Sequence, residues 1–277
     1  MNRISIGFQT YTWQMSFAKY AGEIPHILDV VHKAGLTGFE PEVCMLGSYC
    51  GHPDRLAMEL GKRSLELGAI CLALPWTGAM ETEEEKRESE KVMCFLRHFP
   101  GTYLVLCQIP GEDRTNLRER QRNAIRCVNA VALRAYDRGI RAGCHPNSPQ
   151  GSLFRTRDDY EVLLDGLVPE YAGFVPDTGH IAKGGMDVLR IFGTYKSLIK
   201  HVHFKDISAG AEWTAMGRGV IDHPALVGLL RENGFQGWIM VEDESKQAEC
   251  DPDGVTIKNG GYVRENLLPL VLPCSGG

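Results

Sequence analysis

A single (β/α)8 barrel of the α/β class is the fold this sequence predicts, with residues 1–277 forming one domain. Three observations predict it. Eight short apolar runs recur, a longer segment with helical spacing follows each, and the runs start roughly 33 residues apart, close to what eight βα units need in about 250 residues. A doubly wound open sheet alternates in the same way, but its first strand leads into a glycine-rich phosphate turn. Here the first run continues as "GFQTYTW", which has no such turn.

In order, strands are expected at "ISIGF" (4–8), "GFEPEV" (38–43), "AICLALP" (69–75) and "YLVLCQI" (103–109). The remaining four are "IRAGCH" (140–145), "GFVPD" (173–177), "HVHFKD" (201–206) and "WIMVEDE" (238–244). Helices are expected between them at 23–34, 53–67, 81–99, 117–138, 157–167, 185–199 and 222–234, with a weaker one at 262–272. Apolar residues at i, i+3, i+4 and i+7 dominate these segments, and glycine ends four of them, at Gly35, Gly68, Gly139 and Gly234. The stretch 81–91, rich in both charges, is a solvated helix face. The segment "SKQAECDPDGVTIKNGGY" (245–262) reads as long and irregular, able to close this chain's own site or that of a neighbour in a homo-oligomer.

Composition narrows the class of function. At 43% apolar residues the chain can bury a large core, and its formal charge of −5 gives no general attraction to nucleic acid. No run approaches 18 uninterrupted apolar residues, and the first residues lack the pattern of a signal peptide, so a cytoplasmic protein without membrane contact is expected. The nine cysteines form no CxxC pair, which suggests neither a zinc ribbon nor a disulfide framework.

Chemistry in a barrel of this kind is built at the carboxyl ends of its strands. In "HVHFKD" the alternation of a strand puts His201, His203 and Lys205 on one face and Val202, Phe204 and Asp206 on the other. Other strands also end in polar residues: Glu40 and Glu42 on the second, Gln108 on the fourth, His145 and Asn147 on the fifth. The sixth ends in Asp177 and His180 and the eighth in Glu242 and Glu244. Singly each suits a turn, a helix cap or a solvated strand end, but together carboxylates and imidazoles from separate strands suit one divalent cation. Asp177, His203 and Glu242 are the first three candidate ligands. Manganese is the first expectation, with magnesium, cobalt or zinc as alternatives. His201 lies one layer deeper than His203 or starts the strand at its mouth. Cys144 beside His145 is a weak nucleophile candidate, since adjacent strand residues point oppositely.

The motifs "PDTGHI", "HVHFKD", "MGRGVID" and "GFQGWIMVEDE", with "IGFQTYTW" at the start, resemble the xylose-isomerase-like sugar phosphate isomerase/epimerase superfamily, and within it the inosose dehydratase-like proteins. The resemblance runs over nearly the whole chain and is densest from 140 to 245. It implies a metal on residues of strands five to eight, three of which match Asp177, His203 and Glu242, with His145 where isomerases and epimerases of the family carry a glutamate. It further implies that His180 contacts the substrate, as does Arg218 of the "GRG" loop. His145 is then a metal ligand or a general base, because a metal-bound nitrogen cannot do both.

The function implied is that of a metal-dependent carbohydrate lyase, a dehydratase that acts on a keto-cyclitol or keto-sugar through an enediolate. Glu242 or His145 serves as base, and His180 or Lys205 protonates the departing oxygen, unless Lys205 pairs with Asp206 or a carboxylate. Substrate contacts are expected from Glu40, Gln108, Asn147, His180 and Arg218, with Trp13, Trp76 and Trp213 as flat walls. A ketose 3-epimerase or aldose-ketose isomerase, β-elimination on 3-keto-glycosides and a non-catalytic sugar-binding barrel are the alternatives. The barrel also resembles that of metal-dependent abasic-site endonucleases, but the acidic balance disfavours DNA as partner.

Overall fold

The structure, a computed structural model, describes residues 4–271. Cys274 and the last residue of the expected terminal helix fall outside that range. Eight parallel strands form the barrel: β1 (Ile4–Gln9), β2 (Gly38–Glu40), β3 (Ala69–Leu74), β4 (Tyr103–Gln108), β5 (Ala142–His145), β6 (Ala172–Phe174), β7 (Val202–Phe204) and β8 (Gly237–Val241). Continuous ladders run β2-β1-β8-β7 and β3-β4-β5-β6. Single bridges complete the circle, Glu42 to Cys71 between β2 and β3, and Phe174 to Ile199 and Asp177 to His203 between β6 and β7. Sequential strands are therefore neighbours all the way round, as the regular spacing predicts.

Side-chain alternation divides each strand between two cores. Phe8, Phe39, Leu104, Phe174, Phe204 and Ile239 face outward and are fully buried under the helices. The helix Ile24–Lys33 shows why its face fits: Ile24, Ile27, Leu28 and Val31 follow the helical period and are each 0% exposed. Burial of each such side chain contributes roughly 1.5–3 kcal/mol. Inside the barrel the lower end is filled by Tyr103, His201, Trp238 and Met240, with glycine opposite. A Cβ on Gly38 would lie 2.2 Å from the Trp238 ring, and one on Gly173 would lie 2.5 Å from the Tyr103 hydroxyl.

Two expectations need correction. The helix at 53–67 stops at Gly61, because the chain turns through Ser64 (φ 54°) and Glu66–Leu67 pairs with β2. The segment 245–262 is helical, not irregular: Ser245 caps Lys246–Cys250 and Asp251 caps Pro252–Tyr262, each side chain accepting a backbone N–H three residues on. Gly260 is a packing site. Its Cβ would lie 2.2 Å from the Ala34 carbonyl oxygen, where this helix crosses the end of Ile24–Lys33.

Candidate active site

The last three strands bring the polar side chains together. On β7 and its extension, His201, His203 and Lys205 turn into the barrel while Val202 and Phe204 pack outward, as alternation requires. After β6, Asp177 caps the short helix Thr178–Lys183, its Oδ1 accepting the His180 N–H at 2.7 Å, which leaves Oδ2 for the barrel axis. After β8, Glu242 and Glu244 turn inward. Lys205, 1% exposed, is the centre of this group: Nζ lies 2.7 Å from Glu242 Oε1, 3.5 Å from Asp177 Oδ2 and 3.3 Å from His180 Nε2, and also bonds Glu244. It thus pairs with three carboxylates and not with Asp206.

Electrostatics in this buried cluster follow from those neighbours. Burial opposes the charge on Lys205, but Asp177, Glu242 and Glu244 outweigh it and hold the ammonium's pKa well above its ordinary value. Burial likewise pushes Glu242 up, yet Lys205 and His203 bring it down to about 2. His180 is lowered to about 3 by burial and by Lys205, so its ring is neutral. Burial opposes protonation of His145, which Asp177 and Cys107 nevertheless raise to about 10. Glu42, which lines the cavity, is raised to about 7, chiefly by burial.

The donor set fits a divalent cation. One ligand atom from each of Asp177, His203 and Glu242 falls within a 4.8 Å group, and His145, Asp177 and His180 form a second such group that shares Asp177. Asp177 Oδ2, His203 Nδ1 and both His145 ring nitrogens are buried without a hydrogen-bond partner. His145 Nε2 stands 3.8 Å from Asp177 Oδ2 and His203 Nδ1 stands 3.6 Å from Glu242 Oε2. Buried polar atoms left open in this way are uncommon unless something binds them.

Above the group lies a cavity of about 550 Å³. Gln108, Asn147, His145, His180, His203 and Glu242 line it, all expected at the site. Their roles differ: the Gln108 amide bonds the Pro75 carbonyl oxygen at 3.1 Å, and Asn147 Nδ2 donates to the Gln108 carbonyl oxygen at 3.0 Å, so these amides also hold the rim. Tyr11, Glu42, Cys107 and Glu244 line the cavity too and were not among the expected contacts. Glu42 and Glu244, expected at strand ends though not as substrate contacts, each follow an inward glutamate by two residues, as strand alternation requires.

Five of the expected substrate contacts and walls lie outside this cavity. Glu40 is 0% exposed beneath His203, bound to imidazoles on two sides, and does not reach the cavity. Trp13 is buried in the outer core and donates Nε1–H to Asp253 at 2.8 Å, and Trp76 is equally buried. A tryptophan next to a strand end satisfies the outer core as readily as a substrate wall. Arg218 is exposed and borders an adjoining cleft of about 970 Å³, which Trp213 shares. Trp213 meets the His180 ring edge-on at 5.4 Å. Cys144 points into the outer core, where burial raises its thiol well above the ordinary range.

The outward residues next to the site hold its rim. Asp206, 1% exposed, accepts backbone N–H groups from Gly217 and Gly219 at 3.0 Å each and from Ile221 at 3.3 Å. Asp243 Oδ2 accepts Asn259 Nδ2–H at 3.0 Å, and Asn259 Oδ1 accepts the Met216 N–H at 3.0 Å. The loop that carries Arg218 is therefore tied at both ends to carboxylates one residue away from Lys205 and Glu242.

Comparison with known proteins agrees with this architecture. The family described as xylose isomerase-like TIM barrel matches residues 28–266. An inosose dehydratase of Clostridium tetani is 24% identical over 95% of this chain and 97% of its own length. One of Lacticaseibacillus casei is 30% identical over 73% of this chain and 78% of its own. Among solved structures, that of IOLI protein with a zinc atom superposes with a TM-score of 0.74 at 16% identity, covering 96% of this chain and 98% of that one. The match of the family over most of the chain, on a barrel closed by eight parallel strands with its polar residues at their carboxyl ends, shows that this chain belongs to the xylose isomerase-like TIM barrel family.

Proposed function

We propose that the protein is a divalent-metal-dependent dehydratase that removes water from a keto-cyclitol or keto-sugar. One observation carries this: two carboxylates and an imidazole, Asp177, Glu242 and His203, converge beside a buried ammonium, with Asp177 Oδ2 and His203 Nδ1 open, below a cavity of about 550 Å³ that has room for a sugar ring. The inosose dehydratases similar to this chain support the choice of substrate class. His145, whose ring nitrogens have no partner, completes the set of ligands, and manganese, magnesium, cobalt and zinc all suit it.

A divalent cation held there supplies Lewis acidity, which favours negative charge on the substrate's carbonyl oxygen. The remaining chemistry falls to the chain. Glu242, fixed as a carboxylate by Lys205, is a poor proton carrier. Glu42, with a pKa of about 7, is matched to take and return protons near neutrality, and we assign it as the base that removes the proton α to the carbonyl. The electron pair left on carbon forms the new double bond as the β-hydroxyl leaves. Glu42, now protonated, is matched to return that proton to the departing oxygen, so that it leaves as water, while the Lys205 ammonium keeps Glu242 a carboxylate. His180 accepts from Lys205 through Nε2, which places its own proton on Nδ1, 2.8 Å from Ser148 Oγ.

Proton NMR of the metal-loaded protein in deuterated water, with keto-cyclitols, ketoses and 3-keto-glycosides, tests this. Loss of the α-proton signal followed by an unsaturated or diketone product is expected for a keto-cyclitol. Exchange that yields only an isomer assigns the protein to the epimerases or isomerases, and the absence of exchange with every compound refutes both.

A further inference from the structure

We infer that Glu40 and His201 form a buried support that sets the orientation and the proton position of His203, which makes Glu40 a positioning residue rather than a substrate contact. The inference rests on the proposed cation site, and it adds which nitrogen of His203 faces that site.

Glu40 is 0% exposed, and both of its oxygens meet imidazole. Oε2 accepts from His201 Nε2 at 2.7 Å in a well-aligned hydrogen bond, while Oε1 lies 2.9 Å from His203 Nε2, off the line of a hydrogen bond but in close electrostatic contact. A carboxylate can only accept, and one so deeply buried is unfavourable unless its neighbours present N–H groups to it. Its charge therefore draws the His203 proton to Nε2. That leaves Nδ1, on the opposite edge of the ring, as the nitrogen that would give up its proton to a cation; it has no hydrogen-bond partner and stands on the side of Glu242. That edge belongs to the group formed with Asp177 and Glu242.

The support continues to the floor of the barrel. The Tyr103 ring stacks on His201 with centroids 5.3 Å apart and planes 9° apart. Gly143 and Gly173 leave room for the Tyr103 hydroxyl, which a Cβ on either would approach to 2.4 or 2.5 Å. Tyr103, His201, Glu40 and His203 thus form one column, and His203 has little freedom to rotate. A carboxylate behind a ligating imidazole fixes its tautomer and raises its basicity, and loss of such a partner typically weakens metal binding by about 10- to 100-fold.

The test is titration of the metal-stripped protein with cobalt(II) chloride, in competition with a chelator, followed by the visible spectrum at saturating cobalt. Glu40→Gln, which keeps the shape and removes the charge, is expected to bind cobalt about 10- to 100-fold more weakly and to shift the visible bands, with its near-ultraviolet circular dichroism unchanged. His201→Leu, which removes the donor to Glu40 Oε2 and the stacked ring, is expected to weaken cobalt binding in the same direction. Should Glu40→Gln fail to fold, Glu40→Asp is judged by the same criterion, since its shorter carboxylate cannot meet both rings. Unchanged affinity and spectrum in the variant, with binding lost in His203→Ala, would overturn this inference alone. Unchanged binding in His203→Ala would overturn the cation site along with it.

Discussion

Replacing Lys205 with methionine keeps most of the buried stem and removes the charge that holds three carboxylates together, so its effect should be electrostatic. The size can be worked from one partner. Glu242 is brought from 4.5 to about 2, with Lys205 the largest of the groups that lower it. At about 1.4 kcal/mol per pKa unit that difference corresponds to about 3 kcal/mol, within the roughly 3–5 kcal/mol expected when one partner of a buried ion pair is lost. A depressed carboxylate pKa contributes stability that is fully present above the unfolded value and is lost as pH falls through the folded one. The deficit of Lys205→Met should therefore be about 3 kcal/mol at pH 7 and shrink as pH falls from 4.5 toward 2. Urea unfolding of the metal-stripped proteins across that range measures it. Added divalent metal should stabilise the variant more than the unaltered chain, since no ammonium then competes for Asp177 and Glu242. A deficit under about 1 kcal/mol at pH 7, the level of an exposed ion pair, or one independent of pH, would refute the placing of Lys205 as the organiser of the cluster.

Further outcomes follow from the same geometry. Alanine at Asp177, His203 or Glu242 should abolish metal retention by the folded protein in elemental analysis, and His145→Glu should keep it where His145→Ala does not. With Glu42 as base, turnover should rise with pH through about 7, and Glu42→Gln should lower kcat at least about 100-fold and remove that limb of the profile. Asp206→Asn leaves the cavity intact but weakens the anchor of the loop at Gly217 and Gly219, so a loss in kcat/KM is expected together with faster proteolysis at residues 214–221. A protease pattern identical to that of the unaltered chain would count against the anchor.

Much of this was legible in the chain, for reasons that also mark where legibility ended. The spacing of apolar runs gave the barrel because each βα unit needs a fixed length of chain, and alternation in "HVHFKD" put His201, His203 and Lys205 on the inner face. Glu40 and Glu42 show the limit. Both are inward glutamates at the end of β2, but the depth that separates a buried support from a cavity wall depends on how far neighbouring strands extend, which no local pattern encodes. Trp13 and Trp76 fell on the wrong side for the same reason. Segment 245–262 is helical without a strong apolar period to announce it, and only the closeness of Ala34 reveals why its helix carries Gly260.

The filled floor of the barrel has a consequence for traffic. Tyr103, His201 and Met240 are buried across the lower end, and the cavity that holds the reacting groups opens at the mouth by which the substrate would enter. Under the proposed reaction, the water set free from the sugar shares that mouth with the product. A proton taken by a base in that cavity is sheltered for as long as the ring occupies the mouth. Its exchange with bulk deuterium should then follow the rate at which the product departs, and a label begun on the substrate carbon can outlast many encounters before it is washed out.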